Sequence, residues 1–194
     1  MVEAKGLCMN YGTTRALIDA SFIAADNQVM GLLGPNGAGK TTCMKIIATQ
    51  MVPTSGTALV AGLDVLNDPI EVRRRVGYLP ETAPLYADME VAEYLDFVGR
   101  GRGLENSNLK NRIDWVVNAC RVKDVYRKPV GDLSRGYRQR VGLAQALKNL
   151  FRLRNYFKPG GHENSGNDAQ ILIHKSSTPM DFFETGKVGR ILDD

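Results

Sequence analysis

The stretch "LLGPNGAGKTTCMKIIA", residues 32–48, decides how this chain folds. An apolar pair, Leu32 and Leu33, leads into a loop of Gly34, Pro35, Asn36, Gly37, Ala38 and Gly39, and the loop leads into Lys40, Thr41, Thr42 and a helical pattern. Gly34, four residues, then Gly39-Lys40-Thr41 satisfies G-x-x-x-x-G-K-[ST], with an apolar strand before it and a helix after it. The glycines let the backbone curl so that successive N–H groups point inward at phosphate oxygens, and the helix N-terminus adds roughly half a positive charge. Lys40 is placed to reach the β- and γ-phosphates of a nucleotide, and the Thr41 hydroxyl to ligate Mg²⁺. Cys43, just inside the helix, is expected to be a small buried residue, not a reactive thiol.

The chain around this stretch has 194 residues, 43% hydrophobic and 24% charged, enough for a core that folds alone. Its formal charge of +4 is mild, and acids are scattered among the Lys and Arg residues, so the charge reads as solvated faces and no nucleic-acid partner is expected. Cys8, Cys43 and Cys120 stand far apart, which leaves no CxxC metal pair and no even disulfide framework, and a reducing cytosol fits. The start "MVEAKGLCMNYG" lacks the pattern of a signal peptide, and no apolar run approaches the ~18 residues that span a bilayer. Any role at a membrane is expected to run through a partner.

Short apolar runs at "SFIAA" and "VMGLL", separated by the turn-like "DNQ", read as strands, and "TALVAG" and "RRVGYLP" add two more. Helical periodicity follows: Val91, Tyr94, Leu95 and Val98 form one stripe, and Leu109, Ile113, Val116 and Cys120 a second. A third helix is predicted just after "GDLSRG", with Asp132 or Ser134 capping its exposed N–H groups, continuing through "YRQRVGLAQAL". From Asn149 the text mixes basic, aromatic and Gly/Asn-rich residues without sustained period.

The stretch "LSRGYRQRVGLAQAL", residues 133–147, resembles the signature of the ATP-binding subunits of ABC (ATP-binding cassette) transporters, usually LSGGQ followed by QR and an Ala-rich helix. Leu133, Ser134, Gly136, Gln139 and Arg140 match; Arg135 and Tyr137 depart at the third and fifth places. Tyr11, ahead of the phosphate loop, resembles the aromatic that stacks on adenine in this family. "GYLPETAPLYADMEVAEYLDFV" is similar to the segment joining core and helical subdomain, with Glu81 where most members have glutamine, as in a subset of exporter-like cassettes.

The resemblance implies an α/β fold: a P-loop NTPase core, an N-terminal antiparallel β subdomain and a helical subdomain, with the C-terminal part of the core missing or altered. Residues 1–148 are expected to form a partial cassette domain and residues 149–194 a divergent tail. ATP and Mg²⁺ are the implied cofactors, with Lys40 and Glu81 in catalytic roles and Thr41 and Glu81 near the metal. Two subunits are implied to pack head to tail, so that Leu133, Ser134, Arg135, Gly136 and Tyr137 of one meet the γ-phosphate held by the other. Integral membrane permease subunits complete the implied assembly at the cytoplasmic face of the membrane.

Hydrolysis in this family uses a second apolar strand ending in Asp-Glu, followed by a switch histidine. After "GLAQAL" the candidates are "ILIH", where His174 and Lys175 take the acidic places and cannot ligate Mg²⁺, and "RILDD", which ends in Asp193 and Asp194 after two apolar residues. The sequence therefore predicts ATP binding with little or no hydrolysis, a parallel sheet missing a member beside the P-loop, and exposure of Leu32, Leu33 and the Met44 helix. A cassette sequence truncated or passed into another reading frame after the signature helix accounts for the tail. A module that binds ATP and docks partners without turnover is the alternative function.

Overall fold

The computed structural model describes residues 1–26 and 28–148, and the backbone of residues 170–173 and 188–190. It divides into two compact units, one built on residues 1–75 with the strand at 188–190, the other on residues 76–148 with the strand at 170–173.

The first unit opens with two long antiparallel strands, β1 (Val2–Tyr11) and β2 (Thr14–Ala24). Strands β4 (Ser55–Val60) and β5 (Leu63–Asp64) complete a four-stranded antiparallel sheet in the order β2-β1-β4-β5. The sequence reading contained only the end of β2 and nothing of β1. Strand β3 is Gly31–Leu33, shorter than the run "VMGLL".

Helix α1 (Lys40–Ile47) follows the glycine-rich loop and buries Cys43, Met44, Ile46 and Ile47. Its far end closes in a Schellman turn: the Gln50 N–H reaches the Lys45 carbonyl and the Thr49 N–H the Ile46 carbonyl, both at 2.9 Å. Thr49 sits at φ 57°, a left-handed position that disfavours a β-branched residue. Arg73 holds it there, Nε donating to the Thr49 hydroxyl at 2.7 Å. Arg74 and Arg75, read from sequence as the start of a strand, instead join Arg73 at the end of helix α2 (Pro69–Arg75), where cations meet the negative end of the helix.

The second unit begins with β6 (Val76–Leu79) and gathers three helices, α3 (Val91–Gly101), α4 (Asn106–Ala119) and α5 (Arg135–Lys148). Glu93 begins α3 by accepting a hydrogen bond from the Glu90 N–H at 3.1 Å. Both stripes read from the sequence pack as core faces: Val91, Tyr94 and Leu95 of α3 meet Leu109, Ile113 and Val116 of α4 and Val141, Ala144 and Leu147 of α5. The Tyr94 hydroxyl crosses that core to donate to Gln145 Oε1 at 2.7 Å, and burial, with Tyr86 nearby, pushes the phenol up to about 12. Arg112, 8% exposed, donates to the Leu147 carbonyl at 3.2 Å and lies 4.7 Å from the Trp115 ring centre.

Two further short strands pair with β3 and β6, in the part of the fold where the sequence predicts a parallel sheet missing a member. β7 (Gln170–Ile173) pairs in parallel with β6, and β8 (Val188–Arg190) pairs in parallel with β3. Met44 is buried, against the expected exposure of its helix, whereas Leu33 is exposed as expected. His174, Lys175, Asp193 and Asp194 lie outside the described residues.

Candidate nucleotide site

The phosphate cradle forms where β3 hands over to α1. A turn, the Ala38 N–H to the Pro35 carbonyl at 3.3 Å, folds the loop of Gly34, Pro35, Asn36, Gly37, Ala38 and Gly39. Gly39 stands at φ 77°, and its carbonyl accepts the first helical bond, from the Cys43 N–H at 2.8 Å. No side chain is cheaper there: a Cβ on Gly39 comes within 2.3 Å of the Ala16 carbonyl oxygen.

Helix α1 has no side-chain cap and no acidic residue in its first turn, so its leading N–H groups face the loop without a carboxylate to neutralise them. Lys40 folds back across the loop, its ammonium donating to the carbonyls of Gly34 at 2.7 Å and Pro35 at 2.5 Å. A lysine held by backbone oxygens beside unneutralised N–H donors is the chemistry that receives a polyphosphate, and the residues present fit that group. Thr41 and Thr42 follow on the first turn, Thr41 exposed. Tyr11, in the same unit, is 47% exposed at the end of β1, its hydroxyl 3.0 Å from the Met51 sulfur, which leaves much of the ring open.

Cys43 is fully buried, and burial pushes its thiol up to about 12, in keeping with a packing role. Cys120 is raised to about 12 for the same cause, with Arg140 opposing.

The second constellation belongs to the second unit. Leu133 is buried as an anchor, and Ser134 caps α5: its Oγ accepts from the Tyr137 N–H at 3.3 Å and its carbonyl from the Arg138 N–H at 2.9 Å. The geometry thus selects Ser134 over Asp132. Arg135 and Gly136 occupy the exposed first turn, and Arg140 lies 5.3 Å from the Tyr137 ring centre. Glu81 sits in the loop after β6, tied to α5 where Gln139 Nε2 donates to the Glu81 carbonyl at 3.3 Å. Glu81 therefore shares a unit with residues 133–137, and the phosphate loop shares one with Tyr11.

Sequence reasoning passed over Gly142, Arg73 and Met51. Gly142 had a visible signal, a glycine inside a helical pattern. A Cβ there falls 2.8 Å from Leu79 Cδ1 and 2.9 Å from Ala83 Cβ, so its absence lets the loop bearing Glu81 lie against the helix.

A parallel strand, a glycine-rich cradle and a helix with its lysine at the first position define a P-loop nucleotide-binding fold. The chain belongs to the ABC transporter family, whose model matches residues 17–153. It is 37% identical over 147 residues to the uncharacterized ABC transporter ATP-binding protein YxlF of Bacillus subtilis, covering 76% of this chain and 48% of that one. It is 38% identical over 135 residues to the ABC transporter ATP-binding protein NatA of the same organism, covering 69% and 54%. Among solved structures, an ATP-binding subunit of an ABC transporter superposes with a TM-score of 0.68 at 28% identity, covering 76% of this chain and 62% of that one. The chain spans about half the length of the first curated relatives it matches. Among the described residues no helix is long and apolar enough to cross a membrane.

Proposed function

We propose that this chain acts as the ATP-binding subunit of an ABC transporter, coupling ATP binding and hydrolysis to substrate movement by separate membrane subunits. Residues 1–148 are the partial cassette domain and residues 149–194 a divergent tail. Tyr11 stacks on adenine, residues 34–42 hold the phosphates, Lys40 neutralises the β- and γ-phosphates, and Thr41 and Glu81 serve Mg²⁺. Leu133, Ser134, Arg135, Gly136 and Tyr137 act on the nucleotide of a second, head-to-tail subunit. Membrane permease subunits then dock the pair at the cytoplasmic face, and the resemblance at Glu81 favours export.

The observation that carries this reading is the ammonium of Lys40 lying over the Gly34 and Pro35 carbonyls beside the bare first turn of α1. Bound Mg²⁺ supplies charge neutralisation at the phosphates; the chain's own part is to hold and orient them. Turnover is expected to be weak, since no Asp-Glu dipeptide occurs in these 194 residues. Losing groups that stabilise developing charge costs ~10²–10³ in rate. Calorimetry with MgATP tests binding, and steady-state phosphate release tests turnover. Unchanged ATP affinity in Lys40→Ala overturns the cradle assignment; release of several phosphates per second, dependent on Lys40, overturns the weak-turnover assignment and directs attention to Asp193 and Asp194.

A further inference from the structure

We propose that the strap of residues 50–54, which leaves α1 and enters β4, positions the Tyr11 ring for the base of a bound nucleotide, with Met51 and Thr54 as the positioning residues. This role rests on the reading of Tyr11 as the ring that stacks on adenine, and adds what holds the ring in place.

Tyr11 stands where a strand end is least supported. The register of β1 with β4 stops at Cys8 opposite Ser55, so Met9, Asn10 and Tyr11 pair with β2 alone among the described strands. Gly12, at φ 60°, then turns the chain back toward β2. The strap takes over where β4 leaves off. The Thr54 N–H donates to the Cys8 carbonyl, and the Asn10 N–H donates to Thr54 Oγ1, both at 2.9 Å. One hydroxyl thereby stands in for the next rung of the ladder. The same hydroxyl lies 3.8 Å from Met9 Sδ, to which it donates, so it engages two consecutive residues of β1.

The tip of the ring is held separately. The Tyr11 hydroxyl donates to Met51 Sδ at 3.0 Å, and a thioether on an unbranched side chain is suited to resting beside a ring. The phenol is tied at its oxygen while about half of the residue stays exposed.

The strap is itself fixed. It leaves the Schellman turn at the end of α1, where Arg73 holds Thr49, and its middle carries Pro53, buried and locked at φ by its ring. Residues 40–54 therefore form one continuous stretch with Lys40 at the phosphate cradle and the anchors of Tyr11 at the other end. A ring held in advance loses little rotamer freedom when a base arrives, and releasing it weakens binding ~3–10-fold.

The test measures, by calorimetry on the full chain, binding of MgATP and of magnesium tripolyphosphate, which offers the cradle phosphates without a base. Met51→Leu keeps the volume and removes the acceptor. It is expected to weaken MgATP binding ~3–10-fold and to leave tripolyphosphate binding unchanged. Tyr11→Phe keeps the ring and removes the donor; it should weaken MgATP binding by the same factor, and the two substitutions together by no more than either alone. Thr54→Val acts in the same direction, and Thr54→Ser, which restores the hydroxyl, returns the parent affinity. An equal loss for both ligands means that the strap merely supports α1, and overturns the inference. Unchanged MgATP affinity in either Met51→Leu or Thr54→Val also overturns it, as do additive losses in the Met51 and Tyr11 pair. Tyr11→Ala separates the two levels: a loss there with none in Met51→Leu and Thr54→Val overturns the inference alone, whereas unchanged MgATP affinity there overturns adenine stacking and the inference with it. A parent that binds neither ligand overturns the proposed function and the inference together.

Discussion

Gly39→Ala and Gly37→Ala form a matched pair that measures what the cradle's geometry demands. Both glycines have positive φ, 77° and 93°, so either alanine takes on the strain of a left-handed position, about 1–2 kcal/mol. They differ in surroundings. A Cβ on Gly37 meets nothing within 4 Å, whereas one on Gly39 falls 2.3 Å from the Ala16 carbonyl oxygen and 2.9 Å from Leu17 Cδ1. The Ala16 oxygen belongs to the backbone of β2 and has no rotamer in which to retreat, so α1 and the strand must separate, at an overpacking cost of about 1–3 kcal/mol. Gly39→Ala should therefore melt lower than Gly37→Ala by about 2–4 °C for each kcal/mol of that difference. Circular dichroism melts of both variants check it, with MgATP calorimetry alongside. Equal midpoints refute the reasoning, because they mean that close approach to β2 is not what requires a glycine at position 39.

Three further outcomes follow from other parts of the molecule. Ser134→Ala should cost about 0.5–2 kcal/mol through the lost cap on α5, read as a lower melting point, and Ser134→Asp should recover it. In a mixture, a Lys40→Ala subunit paired with a Ser134→Arg subunit retains one undamaged composite site, so nucleotide-dependent association stronger than in either variant alone is expected; association no stronger counts against action between copies. Cys43 and Cys120, raised from 9.0 to about 12 by burial, should resist thiol reagents near neutral pH while the partly exposed Cys8 reacts. The unfolded thiols ionise first, so both cysteines leave stability unchanged below pH 9 and lower it as pH rises from 9 to about 12, which melts of Cys43→Ala and the parent across that range will compare.

The cradle was legible because everything it needs is local. The strand, the glycines, Lys40 and α1 lie within one continuous stretch, and the helical stripes of α3 and α4 announce themselves by spacing alone. β1 was not legible for an equally physical reason. Its pairing with β2 shifts register between Ala4 and Leu7, between Leu7 and Met9 and between Met9 and Asn10, and each shift breaks the alternation by which a strand is recognised. The three arginines of α2 carry no period of their own. What marks that helix is Pro69 at its first position and the Asp68 carbonyl that accepts the Val72 N–H at 3.0 Å, signals that lie ahead of the arginines.

Helix α5 marks the limit of what sequence reading recovers. Its signature residues, its capping serine and its apolar face are all visible as text, yet the text does not say which surface the remaining face meets. A glycine inside a helix costs about 0.5–1 kcal/mol against alanine, so Gly142 is retained at a loss unless something lies too close for a methyl group. Leu79 and Ala83 are that something. One turn earlier on the same face, Gln139 holds the Glu81 carbonyl, and Arg138 beside it and Arg135 one turn before line a cleft against that loop. The loop bearing Glu81 is thus fixed to α5 at two heights, by a hydrogen bond and by the absence of a side chain. A methyl group at position 142 pushes Leu79 and Ala83 outward and draws Glu81 away from Gln139, so the loop and the helix that carries Ser134 shift together or lose their connection.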